Sequence, residues 1–404
     1  MRPLKSMISA DEALDIIMSN VRTIEESESV ATESADGRIL AMDVRASYNV
    51  PPFNRSAMDG YAVRSSDTSG AHADRPKKFR ITGKVFAGEK GSIEVNENEC
   101  AEIATGAPVP EGCDAVVMVE DTGPVEGEKG TVMILRSVGS FENVSLAGED
   151  IKKGETVLKR GTLLDPPRMG AIAALGVHSV SVLKKPKIGI VSTGNEVVPL
   201  GRELEESRIY DINSYTLSAL VKRNLCEPVT YGIVEDDEAA LRAVLEKALD
   251  NDLVVLSGGS SAGERDMLAD ILGKDVLFHG IRIKPGKPTL FAVYRGKPVL
   301  CLPGFPTSCL MNGYLFLAPA LRKMASAPER ERKIVKAKMG QGVKLSKGRV
   351  KNVTVRLENG YAYSVYKESS TITSLARAVG FITVDADRDT VEKGEEVDVE
   401  LFSW

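Results

Sequence analysis

The spacing of hydrophobic residues changes several times along the chain, and each change marks a different kind of structure. Residues 7–26, MISADEALDIIMSNVRTIEE, carry apolar side chains at Ile8, Ala13, Ile16, Ile17 and Val21, with Ser9 three residues ahead of Glu12. That is the pattern of an amphipathic helix opened by a capping box. From Asn49 to about Leu146 the apolar residues fall in short runs, FRITGKVFAG, DAVVMVED and TVMILRSV, among many turn formers, which predicts a β-rich insert. The stretch GEDIKKGETVLKRGTLLDPPRMGAIAALG then reads as hairpin strands followed by a helix with Pro166 or Pro167 in its first turn and Gly176 at its end. This helix is expected to pack on the first one. The two flanks would then form one discontinuous domain, 1–48 plus 147–184, around an insert at 49–146.

Beyond the linker at Lys184–Pro186 the pattern becomes that of a parallel sheet. Four β-branched runs, KIGIV, TYGIV, DLVVL and PVLCL, alternate with helical segments over residues 185–327. After a charged joint, residues 328–404 return to short strands, a small β domain or barrel. The fold class expected is therefore a multidomain α/β and β protein, with a central doubly wound α/β domain, a β-rich insert domain and a small C-terminal β-barrel domain.

Each of the four runs stops at a loop rich in Gly, Pro, Ser and acid, and open α/β sheets bind ligands beyond their strand ends. Glu196 closes the first loop, Asp236 and Asp237 the second, and Glu264 and Asp266 the third. Any one of these acids could be a helix cap. Together, Glu196, Asp236 and Asp266 suit a shared hard cation such as Mg²⁺, because clustered carboxylates repel one another without one. Ser257, Gly258, Gly259 and Ser260 form a Gly-Ser loop directly after a strand, where backbone N–H groups can cradle a phosphate. Lys284 and Lys287 flank a Pro-Gly turn, a natural grip for an oxyanion.

Composition narrows the chemistry. The chain has 404 residues, a net charge of -5 and a pI near 5.6, which give no general attraction to nucleic acid, and no local basic stripe supplies one. Three histidines make a His-ligated zinc site or a histidine-based hydrolase a poor fit. Five cysteines without CxxC spacing, and no signal-like apolar stretch after Met1, lead us to expect reduced thiols, a cytoplasmic location and no membrane association.

The segments PPFNRSAMDGYA, TGAPVP, AGEDI, STGNE, YDINSY, SGGSSAGERD, IKPGKPTL and LPGFPTS, in this order over essentially the whole chain, resemble the molybdopterin molybdenumtransferase family, which includes the catalytic domain of gephyrin. The resemblance implies an elongated homodimer of four-domain subunits and an Mg²⁺-dependent insertion of molybdate, or of tungstate, into adenylylated molybdopterin with release of AMP. It assigns the central α/β domain to pterin binding. It places Asp59, Thr105, Asp150, Glu196, Asp236 and Asp266 among the family's functional polar residues, and matches Lys284 to its IKPG lysine. It matches Pro303 and Pro306 to the pterin-side Pro-Gly loop, and Arg349 and Ser369 to residues that face molybdate. The active site would be shared between subunits, and transient contacts with the adenylyltransferase or with molybdoenzymes are implied. Two positions depart from the family pattern. Glu368-Ser369-Ser370 replaces Gly-Ser-Gly, and Gly280 stands where some members carry a second lysine, with Arg282 nearby as a substitute. A non-catalytic pterin-binding scaffold and a molybdopterin adenylyltransferase are the rival readings.

Overall fold

The computed structural model describes residues 7–89, 93–258 and 267–402, and its centre is a six-stranded sheet. The strands lie in the order Glu227–Val234, Lys187–Thr193, Leu253–Ser257, Lys297–Leu302, Leu290–Tyr294, Val276–His279. The first four are parallel and correspond to the four apolar runs. The last two join antiparallel and were not anticipated. Leu290–Tyr294 returns to Lys297–Leu302 through Arg295 and Gly296, both at positive φ (50° and 80°), the turn geometry that matches the twist of a tight hairpin. A five-residue strand beside a Lys- and Pro-rich turn has too few alternating positions to stand out in the sequence.

Successive residues of each strand point to opposite faces, and both faces are covered. Ile188, Ile190, Leu253, Val255, Leu300 and Leu302 pack in one core with residues of the helices Asn213–Arg223, Pro306–Asn312 and Ala318–Met324. Val191, Val254, Leu256, Val299 and Cys301 pack on the other side with Glu238–Ala248 and Met267–Leu272. From Lys187–Thr193 the chain moves to one neighbour, Glu227–Val234, and then crosses to the other, Leu253–Ser257. Strand order reverses there, so a crevice opens beyond Thr193 and Ser257.

The first helix forms over Ala10–Asn20, and the Ser9 hydroxyl accepts from the Glu12 N–H at 3.1 Å. Its partner differs from the expectation. Ala13, Ile17 and Val21 are buried in the central core with Leu317, Leu321 and Met324, and Lys323 Nζ donates to the Met18 carbonyl at 2.6 Å. The Pro166–Ala174 helix, capped by Asp165, instead buries Ile172 in a separate core with Leu40, Val44, Leu164, Val180 and Val182. Helical periodicity identifies the face that must be buried but not the surface that buries it.

The insert is a six-stranded sheet with Gly60–Val63 between Ala115–Met118 and Glu99–Ile103. The C-terminal strands close on themselves: Val350–Glu358 pairs with both Tyr361–Ser364 and Gly380–Val384, and the ring runs on through Ile334–Met339 and Glu396–Leu401. Closure leaves no exposed sheet edge within that ring. Ile283–Lys284 of the central domain adds a short parallel pairing to Val350–Lys351, which ties the barrel to the IKPG turn. Among the described residues no helix is long and apolar enough to cross a membrane.

Candidate functional site

A cleft of about 700 Å³ occupies the crevice beyond the strand ends. Ser192, Thr193, Asp211, Asn213, Ser257 and Gly258 line it, with Glu196 and Asp236 from one pair of loops and Pro288, Pro303, Phe305, Pro306 and Ser370 from another. Its floor is a buried network: the Ser192 hydroxyl donates to Asp211 Oδ1 at 3.0 Å and lies 2.8 Å from Ser214 Oγ and 3.2 Å from Ser257 Oγ. The Ser214 N–H also donates to Asp211 Oδ1, at 3.1 Å. Asn213 Nδ2 donates to the Gly304 carbonyl at 2.8 Å, whereas Asn213 Oδ1, which is buried, has no partner among the described residues. A buried acceptor without a donor is costly, and in a cleft it points to a ligand N–H.

The loops meet so closely that one glycine is obligatory. Gly258 has φ +98°, and a Cβ there would fall 2.5 Å from the Thr193 carbonyl oxygen and 2.7 Å from Thr193 Oγ1. Gly258→Ala is therefore expected to destabilise the protein by roughly 1–3 kcal/mol and to weaken binding of whatever ligand the cleft takes, measured by urea denaturation and ligand titration. A variant with unchanged midpoint and affinity would refute this close-approach reading.

The acids separate into cap and site. Asp237 is the cap of Glu238–Ala248, its Oδ1 accepting from the Ala240 N–H at 2.9 Å. Asp236 is left to the cleft, and its N–H donates to Asn195 Oδ1 at 3.1 Å. Partial burial, and then the charge of Glu196, push the Asp236 carboxyl above its ordinary value, against opposing help from Thr193 and the Asn195 N–H. Two hard oxygen donors side by side in one cleft suit a divalent cation. Among the described residues no group of three potential ligands is assembled, and the third expected acid, Asp266, lies outside those residues, as do Gly259 and Ser260.

At the other end of the cleft, the IKPG turn is held from below. Gly286, at φ +109°, leaves room for the side chain of Asn312, whose Nδ2 donates to the Gly286 carbonyl at 2.9 Å and to Thr289 Oγ1. Lys284 is exposed and Lys287 half-buried on either side of it. The C-terminal domain docks beside this turn. The Thr307 N–H donates to the Ser369 carbonyl at 3.0 Å and its hydroxyl to the Thr371 carbonyl at 2.6 Å, which brings Ser370 into the cleft lining. Arg349 immediately precedes the strand that pairs with Ile283–Lys284. Arg282, the nearby substitute for the missing lysine, is exposed, and its Nη1 donates to the Met7 carbonyl at 2.8 Å and straps down the N-terminal segment.

Asp59, Thr105 and Asp150 do not line this cleft. Asp59 Oδ1 accepts from the Thr105 N–H at 2.7 Å and hydroxyl at 3.0 Å, and the backbone bond first, then the hydroxyl, hold the Asp59 carboxyl below its ordinary value. They sit beside a smaller cavity of about 210 Å³ in the insert. Gly60 belongs to a central strand rather than to a turn: a Cβ there would collide with the Val117 carbonyl oxygen. Asp150 is exposed near the Val50–Pro51 turn, its N–H donating to the Val50 carbonyl at 3.1 Å. Sequence reasoning overlooked Asp211, Asn213 and Asn312. The first two stand inside the YDINSY segment, while Asn312 ends the buried helix Pro306–Asn312, after the LPGFPTS segment.

Comparisons with known proteins agree along the whole chain. Residues 8–176 match the model of the MoeA N-terminal region (domains I and II), 189–323 that of a probable molybdopterin binding domain, and 336–402 that of the MoeA C-terminal region (domain IV). A molybdopterin molybdenumtransferase of Haemophilus influenzae is 32% identical over 98% of this chain and 99% of its own length. A putative molybdopterin biosynthesis protein of Methanocaldococcus jannaschii is 34% identical over 90% of this chain and 89% of its own. The crystal structure of the molybdopterin biosynthesis MoeA protein of Pyrococcus horikoshii superimposes with a TM-score of 0.84 at 36% identity, covering 99% of this chain and 100% of that one.

Proposed function

Since this chain belongs to the molybdopterin molybdenumtransferase (MoeA) family, we propose that its strand-end cleft receives adenylylated molybdopterin and molybdate, and that insertion of the metal releases AMP. The coarser activity is that of a transferase in molybdenum cofactor biosynthesis. The observation that carries the finer reading is the raised Asp236 carboxyl beside Glu196 at the mouth of a switch-point cleft. Asn213 Oδ1 accepts an N–H of the pterin, and the Ser257–Ser260 loop takes the phosphate. Lys284, Lys287, Arg349 and Ser369 hold the oxyanion, with Pro303 and Pro306 shaping the pterin side.

Glu196 and Asp236, with Asp266 as the third donor, would hold Mg²⁺, which supplies charge neutralisation on the phosphoanhydride. Asp59 and Thr105 act in this reading from the partner subunit of a homodimer. Their separation from the cleft within one chain supports it.

The purified protein, given adenylylated molybdopterin and Mg²⁺, is expected to release AMP only when molybdate or tungstate is added. Tight pterin binding with no oxyanion-dependent AMP would favour the scaffold reading. Formation of adenylylated pterin and pyrophosphate from pterin and ATP would favour the adenylyltransferase.

A further inference from the structure

Lys351 was not singled out from the sequence, yet it is a buried lysine set among other cations. It lies in register with Lys284 across the pairing that joins the barrel to the IKPG turn. It is 3% exposed, and its Nζ donates to the Arg349 carbonyl at 3.1 Å. An ammonium has three protons to donate, and no carboxylate among the described residues forms an ion pair with this one. Burial first, then the charges of Lys284 and Arg349, push its ammonium below the ordinary lysine value, and Asp389 opposes them.

A cavity of about 400 Å³ opens beside it, lined by Lys284, Lys344, Lys351 and Lys367, with Glu368 as its one acid. Burying a cation against further cations costs free energy unless an anion joins them. The cost is a property of the empty protein and disappears when the site fills.

We propose that Lys351 is a further anion-binding residue at the oxyanion end of the site, gripping a small tetrahedral dianion together with Lys284 and Arg349. The inference rests on the reading above, in which this end of the cleft receives molybdate, and adds a residue to it.

The test titrates molybdate and sulfate into the full-length wild-type protein, Lys351→Met and Lys351→Arg by calorimetry, and follows thermal unfolding with and without the anion. Loss of one charge-assisted hydrogen bond is expected to weaken molybdate binding in Lys351→Met by roughly tenfold or more, with Lys351→Arg retaining most of it. Without anion, Lys351→Met should unfold at a higher temperature than the wild type, while its stabilisation by molybdate shrinks. A merely structural lysine would lower stability under both conditions. Undiminished molybdate affinity in Lys351→Met, or equal loss of stability with and without the anion, would overturn the proposal. Should Lys351→Met fail to fold, Lys351→Gln carries the same comparison.

Turnover separates the two readings. If Lys351 governs anion affinity but the wild type releases no AMP, the insertion reading fails and the anion site stands. If AMP is released and Lys351→Met leaves the KM for molybdate unchanged, the Lys351 inference fails alone.

Discussion

Asp236→Asn is expected to lower oxyanion-dependent AMP release by about a hundredfold or more and, at the same time, to stabilise the metal-free protein at neutral pH. In the proposed reading the loss follows from removing a charge where the reaction needs one, an effect worth about 10²–10³ in rate for preorganised groups of this kind. The gain follows from the environment of Asp236. Partial burial and the neighbouring Glu196 both disfavour its ionised form in the fold, so its folded pKa is raised. The resulting penalty is absent below the ordinary aspartate pKa and complete once the pH has passed the raised value. The stabilisation by Asn should therefore be present at about pH 7 and fade as the pH falls towards about 4. Mg²⁺ should stabilise the wild type more than the variant. Asp237→Ala supplies the contrast, because its carboxylate caps a helix: it should cost roughly 1 kcal/mol of stability and leave AMP release nearly intact. Thermal unfolding across pH, together with an AMP assay, checks both variants. Unchanged activity in Asp236→Asn would remove Asp236 from the site.

The second large effect concerns the proposed homodimer. Asp59→Asn and Asp236→Asn homodimers should each be nearly inactive, but a heterodimer of the two should recover about half of the wild-type rate, since one of its two composite sites then carries neither change. The structural motive is that Asp59 and Thr105 form a clamp in the insert, beside a cavity separate from the cleft that holds Asp236. Differentially tagged subunits, purified as verified heterodimers, make the measurement direct. No recovery in such heterodimers would place both acids in a site built by one chain. Recovery above either parent would establish the composite site without any structure of the dimer.

The two acids also show how far local pattern reaches. Asp236 and Asp237 are adjacent, both acidic and both at the start of a helix, so nothing local distinguishes them. In the fold one caps the helix and the other faces the cleft, a division made by the phase of the strand and loop before them. In the same way, a glycine after an aspartate in SAMDGYA suggests a turn, but Gly60 is required by the approach of Val117 from the neighbouring strand. Lys351 reads as one basic residue among several in KGRVKNV, and only its pairing with Lys284 gives it a cationic neighbour and a cavity.

The sequence by itself determined the elements and their order: the capped first helix, the four parallel strands, the loops rich in Gly, Ser and acid that follow them, and the β domains on either side. These follow from periodicity, caps and turn formers, which act between residues a few positions apart. Only the tertiary structure decided that the first helix packs on the central core, that two antiparallel strands extend the sheet, and that Ser370 reaches the cleft through Thr307. It also decided which polar atoms are buried without partners. Those outcomes depend on which of several adequate apolar surfaces meet, and on desolvation that no residue experiences until the chain has closed around it.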